Sequence, residues 1–228
     1  MSGPHDMRVR ISPDGPYLVT GGPPLAKYDI VTDDEGESAA WEMGEELHRH
    51  EHYALCRCGS SRSKPFCDGT HTVIGFDGAE TADRAPYAEA SETLFGPVVG
   101  LQDAVALCAD TRFCHRRRIW GLVGHAEAPD AVTDVRRGAE LCPSGRYTAV
   151  DSETGAPFEP ELPASIALVE DPHENVSGPI WVRGGIPIQS ADGTEYEVRN
   201  RVTLCRCGGS RNKPFCDGSH LEIGFKAE

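Results

Sequence analysis

The sequence lacks long apolar runs and is poor in basic residues. Its 228 residues contain no stretch of 18 or more apolar residues, so no membrane-spanning helix is expected. Only four residues are lysine and the net charge is −14, which argues against nucleic acid as the main partner, because phosphate binding requires a basic face. The first residues, MSGPHDMRVRISPDG, lack the apolar core of a signal peptide, and we therefore expect a cytoplasmic protein.

The sequence also lacks a phosphate-binding loop. The strings GGPPL and GGIPI stand between predicted strands and do not have the G-x-G-x-x-G spacing before a helix that a nucleotide site requires. What the chain does have is nine cysteines. In a cytosolic protein, closely spaced cysteines indicate metal ligation more than disulfides, although reduced buried thiols are an alternative for isolated residues.

The nine cysteines form three groups of three, and none is left over. The groups are Cys56, Cys58 and Cys67; Cys205, Cys207 and Cys216; and Cys108, Cys114 and Cys142. Because every cysteine is assigned to a group, none remains as a nucleophile. We therefore expect no enzymatic activity of the chain alone; such an activity would need a partner subunit or a substrate at the middle group.

The two outer groups belong to an internal repeat. CRCGSSRSKPFCDGTH at residues 56–71 returns as CRCGGSRNKPFCDGSH at residues 205–220, and GPYLVTGGPPL at 15–25 resembles GPIWVRGGIPI at 178–188. The first copy has extra residues before its motif, including the charged run DDEGE, which predicts a solvated loop. Short β-branched or aromatic runs bounded by Gly, Pro and Asp predict that each copy is built of β strands.

The spacing of the outer motifs favours a cluster over a single ion. Cysteines one residue apart do not match the C-x2-4-C arms of a zinc ribbon, but both can reach one iron while the third cysteine and the histidine reach another. We expect Ser61 and Ser210 to donate hydrogen bonds to sulfur. We expect Asp68 and Asp217 to cap the turn and Gly69 and Gly218 to permit its bend.

Both motifs follow the pattern C-x-C-x2-S-x3-P-x-C-D-G-T/S-H, and they resemble the CDGSH iron–sulfur, or NEET-type, proteins. The resemblance implies two [2Fe–2S] clusters, each with three cysteines and one histidine. The implied ligands are Cys56, Cys58, Cys67 and His71 for the first, and Cys205, Cys207, Cys216 and His220 for the second. Single-motif members form two-fold dimers with a β cap, so this chain is similar to such a dimer made covalent, and a monomer is implied.

The middle group resembles a divergent single-cluster ferredoxin domain, which has C-x5-C and a distant C-P. Thr111 stands where a central cysteine would be expected, so three cysteines suit a [3Fe–4S] cluster. The alternatives are a [4Fe–4S] cluster completed by His115, Asp110 or water, a zinc site, or no cluster.

GLQDAVALC predicts a helix before this group, and a second helix is expected to end at Cys142. The adjacent Arg116, Arg117 and Arg118 form either a solvated stripe or a docking site.

These observations predict an α+β, mostly β fold. It comprises two pseudo-two-fold β modules, residues 1–76 and 177–228, with an inserted ferredoxin-like domain and linker at 77–176. A histidine ligand raises the reduction potential of a cluster and makes it labile as pH falls below about 6.5. Three clusters favour electron transfer, since a relay needs several centres; cluster storage or transfer, redox sensing and structural zinc modules are alternatives. The expected partner is a redox protein or a cluster acceptor.

Overall fold

The computed structural model describes residues 7–47 and 50–227. Within these residues, β strands predominate and form three sheets, joined by short helices. Two of these helices, α1 (Thr70–Val73) and α5 (Ser219–Glu222), lie at matching positions in the two copies of the repeat. This confirms the mostly β class with some helices. The longest described helix has 13 residues, and none in the described part of the chain is long and apolar enough to cross a membrane.

The first sheet has the strand order β12-β1-β2-β5. Its strands are β1 (Arg8–Ile11), β2 (Tyr17–Thr20), β5 (Tyr53–Leu55) and β12 (Ile188–Gln189). Burial alternates along β1 and β2, as expected for strands with one face against a core.

The second sheet has the order β13-β11-β10-β3-β4. Its strands are β3 (Leu25–Thr32), β4 (Ser38–Glu46), β10 (Ser165–Asp171), β11 (Val176–Arg183) and β13 (Arg201–Leu204). The charged run DDEGE lies in the turn between β3 and β4, where the carboxylate of Asp33 accepts the N–H groups of Glu35 and Glu37. β10, which lies within the predicted linker, is the central strand of this sheet.

The two copies of the repeat exchange strands. β1 of the first copy pairs in parallel with β12 of the second, with Val9 opposite Ile188. β3 of the first copy pairs in parallel with β10, the antiparallel neighbour of β11 in the second copy, with Leu25 opposite Ile166. Each sheet is therefore completed by a strand from the other copy, and the inner faces share one core that includes buried residues of both copies.

The middle segment forms the third sheet, in the order β6-β7-β8-β9. Its elements are β6 (Glu92–Leu94), β7 (Val99–Asp103), β8 (Tyr147–Asp151), β9 (Pro157–Phe158), α2 (Tyr87–Ala90), α3 (Ile119–Leu122) and α4 (Pro129–Leu141). The segment has a core of its own, in which Leu101, Ile119 and Val135 are buried. It packs on the outer face of the second sheet, where Phe113 joins Trp181 and Val169.

The helix predicted over GLQDAVALC is wrong. Val99–Asp103 is strand β7, and only Val105–Leu107 forms a helical turn, of the 3₁₀ type. A short apolar run fits either a strand or a buried helix turn, and pairing of β7 with β6 and β8 on both sides decides the outcome. The second predicted helix is confirmed: α4 ends at Leu141, with Cys142 at its C-terminal cap before Pro143.

Candidate metal centres

The first cysteine loop (residues 56–71) and the second cysteine loop (residues 205–220) turn back along the strand that precedes them. In the first loop, the N–H of Cys56 donates to the carbonyl of Pro65 at 2.8 Å, and the N–H of Cys67 donates to that of Ala54 at 2.9 Å. The second loop repeats these bonds from Cys205 to Pro214 and from Cys216 to Thr203, at 2.8 and 2.9 Å. The third cysteine of each loop is thereby brought back beside the first two.

The serine hydroxyls do not donate to sulfur, so that prediction is wrong. The hydroxyl of Ser61 donates to the carbonyl of Phe66 at 2.7 Å and accepts the N–H of Ser63 at 3.0 Å. Ser210 does the same with Phe215 and Asn212, at 2.7 and 3.0 Å. A hydroxyl has a single proton, and the loop carbonyl takes it, because an unpaired buried carbonyl is costly.

The aspartate and glycine predictions are confirmed. Asp68 accepts the N–H groups of Arg62 and Thr70, both at 3.0 Å, so its carboxylate closes the turn. Asp217 accepts the matching N–H groups of Arg211 and Ser219. The next residues, Gly69 and Gly218, both have φ of 87°, a left-handed conformation that glycine adopts without a steric penalty.

The metal donors of each outer loop stand in two pairs. The sulfur atoms of Cys56 and Cys58 are 3.7 Å apart, and Cys67 Sγ lies 3.3 Å from His71 Nδ1. In the second loop, the matching separations are 3.8 Å for Cys205 and Cys207 and 3.5 Å for Cys216 and His220. Within residues 7–47 and 50–227, no three donors converge on a single-ion position.

This pairing fits a two-iron cluster. A tetrahedral metal with sulfur bonds of about 2.3 Å holds two sulfur ligands about 3.8 Å apart. The two cysteines separated by one residue meet that spacing, and the third cysteine and the histidine form a second, similar pair. In a [2Fe–2S] cluster each iron takes two protein ligands, and sulfides bridge the irons. The geometry agrees with the expected division of ligands between two irons.

The histidines of the two loops differ in exposure. His71 is partly exposed, whereas His220 is 4% exposed. Burial lowers the pKa of His220 to about 4, although the carboxylates of Asp110 and Asp171 act in the opposite direction. A neutral imidazole is the form that ligates a metal.

The third group of cysteines lines one opening, together with the middle cysteine loop (residues 108–115). Cys108 and Cys114 lie at the ends of this loop, and Cys142 follows α4. Asp110 and Arg112 have φ of 52° and 62°, so the backbone between the cysteines curls tightly. Asp110 and His115, the predicted fourth ligands, also line the opening.

The three thiols of the middle group lie close enough to affect one another. Burial, together with smaller contributions from the neighbouring Cys142 and Cys108, raises the pKa of Cys114 to about 12. Since a thiolate is the ligand form, a bound metal would stabilise ionised cysteines that burial alone disfavours. The donor chemistry of this site therefore fits a metal centre held by three cysteines, either an iron–sulfur cluster or zinc.

Two of the arginines that follow Cys114 form exposed ion pairs, which agrees with the predicted solvated stripe. Arg116 pairs with Asp33 at 2.9 Å, and Arg117 with Asp134 at 3.5 Å, on an exposed stretch. Arg146 instead lines the opening, where its guanidinium binds Asp103 through two bonds of 2.7 and 3.0 Å. No sequence motif marks Arg146, which lies two residues after Ser144, as a residue of this site.

The two outer loops touch each other reciprocally through glycine. A Cβ placed on Gly59 would lie 2.7 Å from the carbonyl carbon of Cys207, and one placed on Gly208 would lie 2.9 Å from that of Cys58. Both glycines also have positive φ, of 74° and 80°. The same pair of positions forms the contact from either side, as in a two-fold interface.

Two segments of the chain, residues 14–72 and 177–221, match the family model described as "Iron-binding zinc finger CDGSH type". No curated protein and no solved structure shows a significant match to the chain. Each matched segment contains one of the outer cysteine loops, and the middle group of cysteines lies outside both segments.

Proposed function

We propose that this chain, two segments of which match the CDGSH-type iron-binding family model, is an iron–sulfur protein that transfers electrons through three clusters. The observation that carries the proposal is the presence of three separate donor sets in one packed molecule, two of them in direct contact. A relay needs several centres close together, whereas storage or delivery of a cluster needs one.

The outer loops would each hold a [2Fe–2S] cluster, and the middle group a [3Fe–4S] cluster. The ligand sets are Cys56, Cys58, Cys67 and His71; Cys205, Cys207, Cys216 and His220; and Cys108, Cys114 and Cys142. Asp110 and His115 line the opening of the middle group, and either would complete a [4Fe–4S] cluster as the alternative. When bound, such clusters accept and release single electrons.

The chain's own residues hold the ligands and limit access of water. The bonds of Ser61 and Asp68 fix the turn that carries Cys67 and His71, and their counterparts fix the second loop. Buried Cys56, Cys58, Cys205 and Cys216 keep most sulfur ligands away from solvent. Rigid, preformed ligand positions suit electron transfer, because the protein then rearranges little when its charge changes.

We further propose that the two CDGSH modules form a covalent pseudo-dimer and that the middle segment is a ferredoxin-like insertion. Three reciprocal features support the pseudo-dimer: the exchanged strands, the matched loop bonds and the paired glycine contacts. The separate sheet and core of the middle segment support the insertion. A redox protein is the proposed partner.

Electron paramagnetic resonance of anaerobically purified protein, with iron and sulfide analysis, tests this function. We expect about seven irons and eight sulfides per chain, an oxidised signal from the [3Fe–4S] centre, and rhombic signals only after dithionite reduction. An oxidised sample without a signal, which gains a [4Fe–4S] signal on reduction, would replace the proposed middle cluster. A colourless protein that contains zinc would contradict the electron-transfer function.

A second function, delivery of a cluster to an acceptor, is favoured by the exposure of one ligand pair. Cys67 and His71 are partly exposed, so an acceptor protein could reach that side of the first loop. Incubation with an apo-ferredoxin at neutral pH separates the two functions. Stable retention of all iron favours electron transfer, and transfer of about two irons per chain favours delivery.

A further inference from the structure

Both outer loops place an arginine between their two closely spaced cysteines. Arg57 is 1% exposed and Arg206 is 4% exposed, and the guanidinium groups face the matched rings of Phe76 and Phe225. A buried positive charge beside a cluster stabilises the reduced state, which carries one more negative charge. The two loops therefore have the same positive charge at matching positions.

The partners of these arginines differ. Arg57 donates to the carbonyl oxygens of Ser12 and Gly78, and within the described residues no carboxylate forms an ion pair with it. The carboxylate of Asp14, which is nearby, accepts the N–H of Gly78 instead. The positive charge of Arg57 is therefore uncompensated by an ion pair.

Arg206 is neutralised. Its guanidinium donates to Glu170 Oε1 at 2.9 Å and to the carbonyl of Val169 at 3.2 Å. Glu170 lies on β10, and nothing in the sequence around Arg206 predicts that it pairs with this residue. The second loop thus keeps the buried arginine but loses most of its electrostatic effect.

The middle segment adds further negative charge at the second loop only. A Cβ on Gly218 would lie 3.2 Å from the Cβ of Asp110, so the middle cysteine loop packs against the second cysteine loop. The carboxylates of Asp110 and Asp171 lie near enough to interact with His220, and the nearby cation of Arg112 is paired with Asp171 at 2.5 Å. The second centre therefore lies beside the middle centre, whereas the first centre faces solvent through His71.

From these contacts we infer that the two CDGSH centres are inequivalent: the first has the higher reduction potential and is the exit of the relay. The inference rests on the proposed electron-transfer function. With clusters bound, an electron from a one-electron donor would pass through the middle centre to the second, held by Cys205, Cys207, Cys216 and His220, and from there to the first. A one-electron acceptor docking at His71 would then take it. The reciprocal contact of Gly59 with Cys207 and Gly208 with Cys58 brings the two loops together for this step.

Partial reduction of the holoprotein with dithionite tests which centre holds the first electron. The readout is the shape of the rhombic signal that appears first, recorded when it has reached less than half of its final intensity. This early signal is compared between the wild type, His71→Cys and His220→Cys. A cysteine ligand adds negative charge and lowers the potential of its own centre. We expect His220→Cys to leave the early signal unchanged and His71→Cys to alter it. The reverse pattern, or a change in both variants, would overturn the inference.

Glu170→Gln tests the cause independently. Glutamine retains an oxygen that accepts from Arg206 but lacks the negative charge, so the potential of the second centre should rise while that of the first stays constant. Glu153→Gln, which removes an exposed carboxylate from the turn after β8, is the control and should change neither potential. An unchanged second centre in Glu170→Gln would contradict the proposed cause. A protein with no rhombic signal in any variant would contradict the electron-transfer function itself.

Discussion

At the scale of single residues, the hydroxyl groups of Ser61 and Ser210 hold the backbone of the cysteine loops. Each donates to the carbonyl one residue before the third cysteine, so it fixes the position from which that cysteine reaches the metal. The hydroxyls make no direct bond to sulfur and so do not alter the charge on the ligands. Support of the loop and tuning of the cluster are therefore carried by different residues.

This separation predicts the phenotype of Ser61→Ala. The carbonyl of Phe66 and the N–H of Ser63 lose their partner, and the free energy of unfolding should fall by about 1–3 kcal/mol. The reduction potential of the first centre should stay constant. Thermal unfolding and a redox titration measure the two quantities, with Ser63→Ala, at an exposed position in the same loop, as control. A shifted potential at unchanged stability would show that the hydroxyl acts on the cluster instead.

A glycine substitution separates backbone strain from contact between the loops. Gly59 and Gly75 both have positive φ, of 74° and 63°, but only Gly59 has a neighbour within 4 Å, the backbone of Cys207. Gly75→Ala should cost about 1 kcal/mol of stability from strain. Gly59→Ala should cost several kcal/mol more and reduce the iron content, because the two loops must move apart. Equal losses in both variants, measured by thermal unfolding and iron analysis, would contradict the close contact.

At the scale of secondary-structure elements, Arg201 joins the middle segment to the second module. It lies on β13, is 1% exposed, and donates to the carbonyls of Ala139, Glu140 and Cys142 at the end of α4. It also pairs with Glu159 at 2.6 Å. A positive charge at a helix C-terminus is stabilising, and here it also fixes the residue that follows the helix, the candidate ligand Cys142.

Arg201→Met should therefore affect the middle centre more than the outer ones. We expect loss of most of the [3Fe–4S] signal while both rhombic signals persist, with a fall in stability of about 3–5 kcal/mol from the broken buried ion pair. Arg137→Met, on the exposed face of α4, is the matched control and should retain all signals. Loss of an outer signal before the middle one would show that Arg201 mainly supports β13.

The elements also show how far the sequence could predict the structure. The repeated motif fixed the loop geometry, including the caps of Asp68 and Asp217, because these bonds join residues close in sequence. The exchange of β12 and β3 was not predictable, since a strand pattern does not identify its partner. For the same reason, the pairing of Arg206 with Glu170 and the position of Arg146 could be found only from the folded chain.

At the scale of the whole molecule, the described residues form three buried apolar clusters, and two of them support different candidate metal centres. The shared core lies between the first two sheets and takes residues from both repeats, among them Ile188 on β12. The core of the middle segment contains Leu101, and the partly buried Cys114 packs against it. Because each outer module is completed by a strand of the other, the two outer centres should lose stability together, and the middle centre should be more independent.

Truncation in the two cores tests this coupling. Ile188 is 3% exposed and Leu101 is fully buried, so alanine at either position should cost about 2–5 kcal/mol of stability. In Ile188→Ala, both rhombic signals should disappear at the same lowered temperature, although the substituted strand belongs to one sheet. In Leu101→Ala, the signal of the middle centre should disappear first. Separate melting of the two rhombic signals in Ile188→Ala would show that the modules unfold independently, despite their exchanged strands.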